Sequence, residues 1–224
     1  MHVKEVVSIL EKKGIPLTKK FGSKGGIPQT TFAPYFEGNY LGLKFTLVGL
    51  TSPKGYTSGV KIKFFYSQRT YLGFLCKYNC GNLSMFTYNE TYKDILSKKI
   101  ETTIKGVQCY AHNHKLINNL FNDKNFVSLL EELKYELNIN EQNNNESGFF
   151  INDSCVGVLM TSNENIEKVF ETIYKITYFL DRFWQLNSNE VLKERTIDKV
   201  FKTIVILLTI IFIVVIVLII TFYS

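Results

Sequence analysis

Residues 43–50 read LKFTLVGL and residues 60–66 read VKIKFFY, and these two stretches decide the fold. In the first, Leu, Phe and Leu alternate with Lys and Thr, and in the second Lys61 and Lys63 alternate with apolar residues. A period of two places alternate side chains on opposite faces of a β-strand. Residues 52–56, SPKGY, have the Pro and Gly of a turn. The sequence therefore predicts neighbouring strands of a sheet buried on one face.

Outward from these strands, apolar residues follow both strand and helix periods. Residues 14–38 hold five Gly and three Pro, which predicts an irregular arm. The order of the elements predicts an α+β fold in which helices pack on a largely antiparallel sheet. The remaining predicted elements are strands at 71–78 and 100–110, a hairpin at 148–160, a loop at 138–145, and helices at 3–13, 126–137 and from a cap at Ser162 or Asn163 to Phe183.

A long apolar stretch, TIVILLTIIFIVVIVLIITF, occupies residues 203–222 and contains twenty residues without a charge, Gly or Pro. A helix of this length is about 30 Å long, which matches the hydrocarbon core of a bilayer. We therefore predict a single C-terminal transmembrane helix in a tail-anchored protein without a secretory signal. Basic residues occur before this stretch and none follows it, which predicts a cytoplasmic N-terminal domain. The basic flank consists of Lys193, Arg195, Lys199 and Lys202.

The basic charge of the chain is concentrated at the N-terminus. Residues 1–30 hold six Lys and two Glu, which contribute +4 to the formal net charge of +6. A solvated basic arm is the favoured interpretation, and attraction to anionic lipid or to nucleic acid are the alternatives.

The expected domain organisation has four parts. The connector before the apolar stretch is either a flexible tether or a helical stalk. The parts are an N-terminal helix and basic Gly/Pro-rich arm at 1–35, a cytosolic α+β domain at 36–187, a polar connector at 188–202 and the transmembrane helix at 203–222.

Several segments resemble a group of uncharacterised prokaryotic membrane-associated α+β domains of unknown function. They are YFEGNYLGLKFTLVGL at 35–50, with Gly38 and Gly42 at its opening, VQCYAHNHKLINNLF at 107–121, and GFFIND with CVGVLM at 148–160. The resemblance covers about residues 36–185. It implies an α+β fold and an association with a membrane, and it implies no particular activity.

The sharpest candidate site is a cluster of thiol and imidazole side chains. Cys109, His112 and His114 lie within six residues, with Cys76 and Cys80 upstream, and thiolates with imidazoles can form a tetrahedral zinc site. The spacing does not match a known zinc motif, so small core residues and a polar turn are the favoured interpretation. A Cys–His nucleophile pair is disfavoured because a strand points Cys109 and His112 to opposite faces. We expect reduced thiols and no cofactor.

Two classes of function follow from these observations. The favoured class is a non-enzymatic membrane protein whose α+β domain binds a protein or membrane-surface partner, with lipid contacting residues 203–222. The alternative is a membrane-tethered enzyme or metal-binding domain that uses Cys109, His112 and His114. No nucleic-acid partner is expected, since Lys61 and Lys63 alternate with aromatic residues as they do in any half-buried strand.

Overall fold

The protein is described by a computed structural model that covers residues 3–22, 33–51, 57–80, 94, 96–138, 147–161 and 165–223. The strands in these residues are β1 Leu17–Gly22, β2 Ala33–Tyr40, β3 Leu43–Thr51, β4 Thr57–Phe65, β5 Leu75–Tyr78, β6 Lys98–Ile100, β7 Val107–Ala111, β8 Gly148–Asn152 and β9 Cys155–Met160. The helices are α1 Val3–Lys12, α2 His114–Asn122, α3 Lys124–Asn138, α4 Ile166–Leu186 and α5 Ser188–Tyr223.

All nine of these strands belong to one sheet in the order β1-β2-β3-β4-β9-β8-β5-β7-β6. Every neighbouring pair is antiparallel, which confirms the predicted α+β arrangement of the sheet. The two strands at 43–50 and 60–66 are confirmed as β3 and β4, and the predicted hairpin is confirmed as β8 and β9.

The main core lies between one face of the sheet and the helices. Phe170 of α4 is fully buried there, and its ring centroid lies 5.3 Å from that of Tyr40, 5.0 Å from Phe45 and 4.9 Å from Phe64. Edge-to-face contacts at such distances are favourable beyond the burial of apolar area. The apolar stripe of α4 predicted from helical spacing is therefore the element that closes the core over β2, β3 and β4.

Several boundaries differ from the sequence-based expectation. The arm at 14–38 contains β1 and most of β2, because β1 pairs with β2 and β2 pairs with β3, which supplies backbone partners for a polar strand. Lys20 Nζ lies 2.7 Å from Glu37 Oε2 across the β1–β2 pair. The strand expected at 100–110 is interrupted by a turn between β6 and β7, and helix α2 was not predicted. Two predictions lie outside the described residues. They are the loop at 138–145, of which only Asn138 is described, and the helix cap at Ser162 or Asn163.

Helix α5 corrects the prediction for the C-terminal part. Its backbone is helical from Ser188 to Tyr223, so the connector at 188–202 is a helical stalk. In the part of the chain that the structure describes, no helix is long and apolar enough to cross a membrane. The prediction of a single-pass, tail-anchored transmembrane helix at 203–222 is therefore wrong for these residues.

Candidate functional site

The first candidate site is built around the segment between β4 and β5, residues 66–74, which we call the Asp153 loop. Asp153 lies in the β8–β9 turn and is half-buried. Its Oδ1 accepts hydrogen bonds from the Thr70 hydroxyl at 2.8 Å and from the backbone N–H groups of Leu72 and Phe74, while Oδ2 accepts one from Gly73 N–H. A loop with this many bonds to one carboxylate has a fixed conformation.

The pKa of Asp153 is raised above its ordinary value because burial disfavours the charged carboxylate. The hydrogen bonds from Thr70, Phe74 and Leu72, together with the positive charge of Arg69, oppose this effect. The carboxylate therefore serves as a half-buried structural acceptor for the Asp153 loop.

The Asp153 loop contains two residues in the left-handed region, Tyr71 at φ +61° and Gly73 at φ +57°. A left-handed aromatic residue is rare and costs roughly 1–2 kcal/mol. A Cβ at Gly73 would collide with Nε2 of His112 and with the hydroxyl of Ser97. The conformation of the loop is thus imposed by its surroundings, as occurs at many binding sites.

A cleft of about 200 Å³ opens between the Asp153 loop and the junction of α4 with α5. Asp181 fixes the loop to α4, since its Oδ1 accepts hydrogen bonds from both the backbone N–H and the hydroxyl of Ser67 at 2.8 Å. The exposed Arg69 guanidinium lies 5.0 Å from the centre of the Tyr71 ring. The residues that line the cleft are Ser67, Gln68, Arg69, Thr70, Asp181, Trp184, Gln185, Ser188 and Val191.

Trp184 forms the inner wall of this cleft and is 5 % exposed. Its indole N–H and the hydroxyl of the buried Tyr66 have no hydrogen-bond partner within standard geometry among the described residues. The two groups lie close enough for the indole to lower the pKa of Tyr66, although burial raises that pKa well above its ordinary value. Buried polar groups without partners are uncommon, and one of these two belongs to the Trp184 wall of the cleft.

The three residues of the predicted thiol and imidazole cluster have different environments. Cys109 is fully buried on β7 opposite Cys76 of β5, and all four cysteines are buried thiols outside any disulfide. His112 Nε2 lies 3.2 Å from Asp94 Oδ1. His114 begins α2, and its buried Nε2 has no hydrogen-bond partner among the described residues. No three His, Cys, Asp or Glu side chains in the described residues are placed to hold a metal.

A Ser, His and Asp cluster was not found by sequence reasoning. Asp94, Ser97 and His112 all lie near Gly73, but the Ser97 hydroxyl donates to the Gly73 carbonyl at 2.6 Å and Asp94 contacts Nε2 of His112. In a nucleophilic triad the Ser and the acid contact different ring nitrogens. No hydrogen bond between Ser97 and His112 occurs among the described contacts, so this cluster closes the Asp153 loop rather than forming a catalytic triad.

The second candidate site is the exposed surface of α5 at residues 203–218, which we call the apolar stalk surface. Thr203 and Thr209 are its two polar residues, and the apolar side chains from 204 to 218 are 40–66 % exposed. The stalk is fixed to the domain by the buried Val191 and by a 3.2 Å hydrogen bond from Asn113 to Glu190. The backbones of Lys193, Arg195, Lys199 and Lys202 belong to α5, and their side chains lie outside the described part.

Comparison with known proteins adds one structural relative. No family model and no curated protein matches the chain. A solved structure, the crystal structure of the mycobacterial trehalose monomycolate transport factor A, TtfA, is similar with a TM-score of 0.50 and 8 % sequence identity. The similarity covers 81 % of this chain and 93 % of that chain. At this identity the likeness shows that the two chains share a fold.

Proposed function

We propose that the protein is a membrane-associated binding module, in which the apolar stalk surface associates with lipid and the α+β domain binds a protein or membrane-surface partner. The observation that carries the proposal is the exposure of fourteen apolar side chains along 203–218. An exposed apolar surface of this extent is unfavourable in water and is typical of interaction sites.

Lipid explains the distribution of these side chains better than a protein groove does. A helix in a protein groove buries one apolar stripe and keeps the other face polar. Here residues 204–208 and 210–218 are all exposed Ile, Val, Leu or Phe, so apolar side chains occur on every side of the helix. A lipid environment surrounds a helix on several sides, whereas one protein groove covers only part of its circumference.

The position of the basic residues supports the same proposal. Lys193, Arg195, Lys199 and Lys202 precede the apolar stalk surface in sequence. Basic residues beside a lipid-associated apolar segment are attracted to the anionic lipids of the cytoplasmic leaflet, at about 1 kcal/mol for each residue near the surface. We therefore place the α+β domain on the cytoplasmic side of the membrane as part of the proposal.

The cleft beside the Asp153 loop is the surface that we assign to the partner of the domain. It combines a fixed backbone with the exposed Arg69 and the polar side chains of Gln68 and Gln185 above a Trp184 wall. Small-molecule and peptide sites usually combine an apolar wall with a few oriented polar groups. The structural relative is named as a transport factor for trehalose monomycolate, which is consistent with a transport-related role at a membrane.

Vesicle flotation tests the lipid part of the proposal. The full chain is mixed with vesicles of phosphatidylcholine and phosphatidylglycerol and centrifuged through a density gradient. We expect the wild-type chain to float with the vesicles and an Ile206→Asp, Phe212→Asp variant to remain at the bottom, because both side chains are exposed on the apolar stalk surface.

A matched control carries two Asp substitutions at exposed apolar positions outside α5. Leu41→Asp and Tyr135→Asp change side chains that are 68 % and 71 % exposed, and this variant should float like wild type. Failure of the wild-type chain to float would contradict the proposal. So would flotation of the α5 variant, or a discrete oligomer that forms equally with and without vesicles, which would make a second copy the partner of the stalk.

A further inference from the structure

We infer that Cys76 and Cys109 can form a reversible disulfide, which would link β5 to β7 covalently. The two residues are direct Cα partners in the antiparallel pair of these strands. Directly paired residues in antiparallel strands have Cα atoms about 4.5–5.5 Å apart, within the range of about 4.4–6.8 Å that a disulfide requires. The inference is independent of the proposed lipid association.

The two side chains share one face of the sheet. Both are fully buried in the main core, in a row across the sheet in which Cys76 faces Ile151 on one side and Cys109 faces Ile100 on the other. The neighbouring Cys109 thiol, together with burial, raises the pKa of the Cys76 thiol well above its ordinary value. The pair is thus a stable dithiol while the strands are closed.

The other two cysteines contact different groups. Cys80 directs its thiol to the carbonyl oxygen of Phe149 at 3.1 Å, and Cys155 directs its thiol to the side chain of Asn152. Cys80 follows β5 and Cys155 begins β9, and β8 lies between these strands. Two strand spacings are about 9–10 Å, which is beyond the reach of a disulfide without movement of the backbone.

Access to the pair requires opening at one end of the sheet. Strand β6 has three residues and is the last strand in the order given by the described residues, next to β7. Short strands at the end of a sheet open locally more often than central ones. Opening of β6 and β7 exposes Cys109 first, and closing brings it back against Cys76.

The reaction is thiol–disulfide exchange with a small-molecule disulfide such as oxidised glutathione. One protein thiolate attacks the reagent, forms a mixed disulfide and releases one glutathione thiolate. The second protein thiolate then attacks the mixed disulfide and releases the second glutathione. The two protein thiols lose two electrons and two protons, and the reagent is reduced to two molecules of glutathione.

The test uses the full chain, purified under reducing conditions and then incubated with oxidised glutathione. We expect titratable thiols in the denatured protein to fall from four to two, with one cross-linked peptide pair containing Cys76 and Cys109. A Cys80→Ser, Cys155→Ser variant should form the same link, because both substitutions leave the pair intact. Cys109→Ala should retain three titratable thiols without forming an intramolecular link.

Peptide mapping of the wild-type chain keeps the test decisive even if Cys109→Ala does not fold. Persistence of all four thiols under conditions that exchange other buried protein dithiols would overturn the inference. A cross-link that maps to Cys80 or Cys155 would overturn it as well, and so would glutathione adducts that do not resolve into an internal disulfide.

Discussion

Thr70 and Asp153 are 83 residues apart in sequence, and the hydroxyl of Thr70 donates a 2.8 Å hydrogen bond to Oδ1 of Asp153. The same oxygen accepts backbone hydrogen bonds from Leu72 and Phe74, so one side chain of the β8–β9 turn fixes the loop between β4 and β5. Since that loop forms one side of the cleft, this contact connects the sheet to the candidate partner site.

Asp153→Asn should destabilise the protein by about 1–3 kcal/mol, because an amide NH2 in place of Oδ2 faces the Gly73 N–H donor. Asp153→Ala should cost more, since it leaves all the donors without an acceptor. The measurement is the free energy of unfolding by urea. Asp123→Asn is the control, because Asp123 accepts hydrogen bonds at the exposed start of α3. This substitution should lower the free energy of unfolding by less than about 1 kcal/mol. Equal effects at the two positions would contradict the role of Asp153.

Gly73→Ala should destabilise the protein by about 2–4 kcal/mol, from the left-handed φ of +57° and from the collision of Cβ with His112 and Ser97. Gly14→Ala isolates the first effect, since Gly14 has φ +76° and no atom within 4 Å of the added Cβ. Its cost should be about 1–2 kcal/mol. Thermal unfolding of both variants measures the difference, and equal shifts would mean that the Asp153 loop moves without cost.

Phe170→Ala should cost about 3–5 kcal/mol, because it removes a ring that contacts Tyr40, Phe45 and Phe64 in the main core. Tyr178→Ala on the same helix is the control, since Tyr178 is 41 % exposed and should cost less than about 1 kcal/mol. The comparison uses urea unfolding followed by circular dichroism. A cost near that of the control would show that α4 does not close the core.

Glu136→Gln should stabilise the protein at neutral pH. Glu136 is buried in α3, and its Oε2 has no hydrogen-bond partner among the described residues. Burial raises its pKa above the ordinary value of 4.5, opposed by a hydrogen bond from Thr172 and by Lys168 and Lys175, and reinforced by Glu132. A raised folded-state pKa means that the contribution to stability is present below pH 4.5 and is lost as the pH rises through the folded-state pKa.

The difference in unfolding free energy between Glu136→Gln and wild type should therefore shrink as the pH is lowered from 7 towards about 4.5. Glu131→Gln is the control, because Glu131 is exposed on the same helix and should show little dependence on pH. A constant difference across this range would mean that the Glu136 carboxylate is solvated.

Replacement of Lys193, Arg195, Lys199 and Lys202 by Gln should weaken binding to anionic vesicles by about 1 kcal/mol for each residue that lies near the lipid surface. Binding to neutral vesicles should change little. The partition coefficient measured by sedimentation with vesicles of each type gives both values. The control replaces four exposed lysines of the domain, Lys98, Lys99, Lys105 and Lys115, with the same loss of charge. Equal losses in both variants would contradict a specific role for the basic flank.

The sequence predicted elements whose periodicity is strong and whose partners lie close in the chain. Strands β3 and β4 and helices α1, α3 and α4 have apolar residues at a clear period of two or 3.6, and the β8–β9 hairpin has two short apolar runs around a polar turn. The structure confirms all of these elements. Strand β1 was not predicted because LTKKFG has no apolar alternation, and its pairing with β2 depends on a second segment that itself contains Gly and Pro.

The candidate site depended on contacts that no local pattern contains. Residues 71–74 resemble a strand by composition, but the Asp153 carboxylate holds them in a loop with two left-handed residues. The sequence grouped Cys109 with His112, whereas the structure pairs Cys109 with Cys76 and places His112 beside Asp94. These partners are 33 and 18 residues distant along the chain, so spacing within one segment could not identify them.

The sequence by itself determined the α+β class and the apolar character of residues 203–222, because both follow from the period and polarity of consecutive side chains. Only the tertiary structure decided the order of the strands, the environment of each thiol and imidazole, and the cleft between the Asp153 loop and the α4–α5 junction. The reason is that hydrogen bonds and packing depend on proximity in space rather than in sequence. Thr70 reaches Asp153, and Cys76 reaches Cys109, only when the sheet has formed.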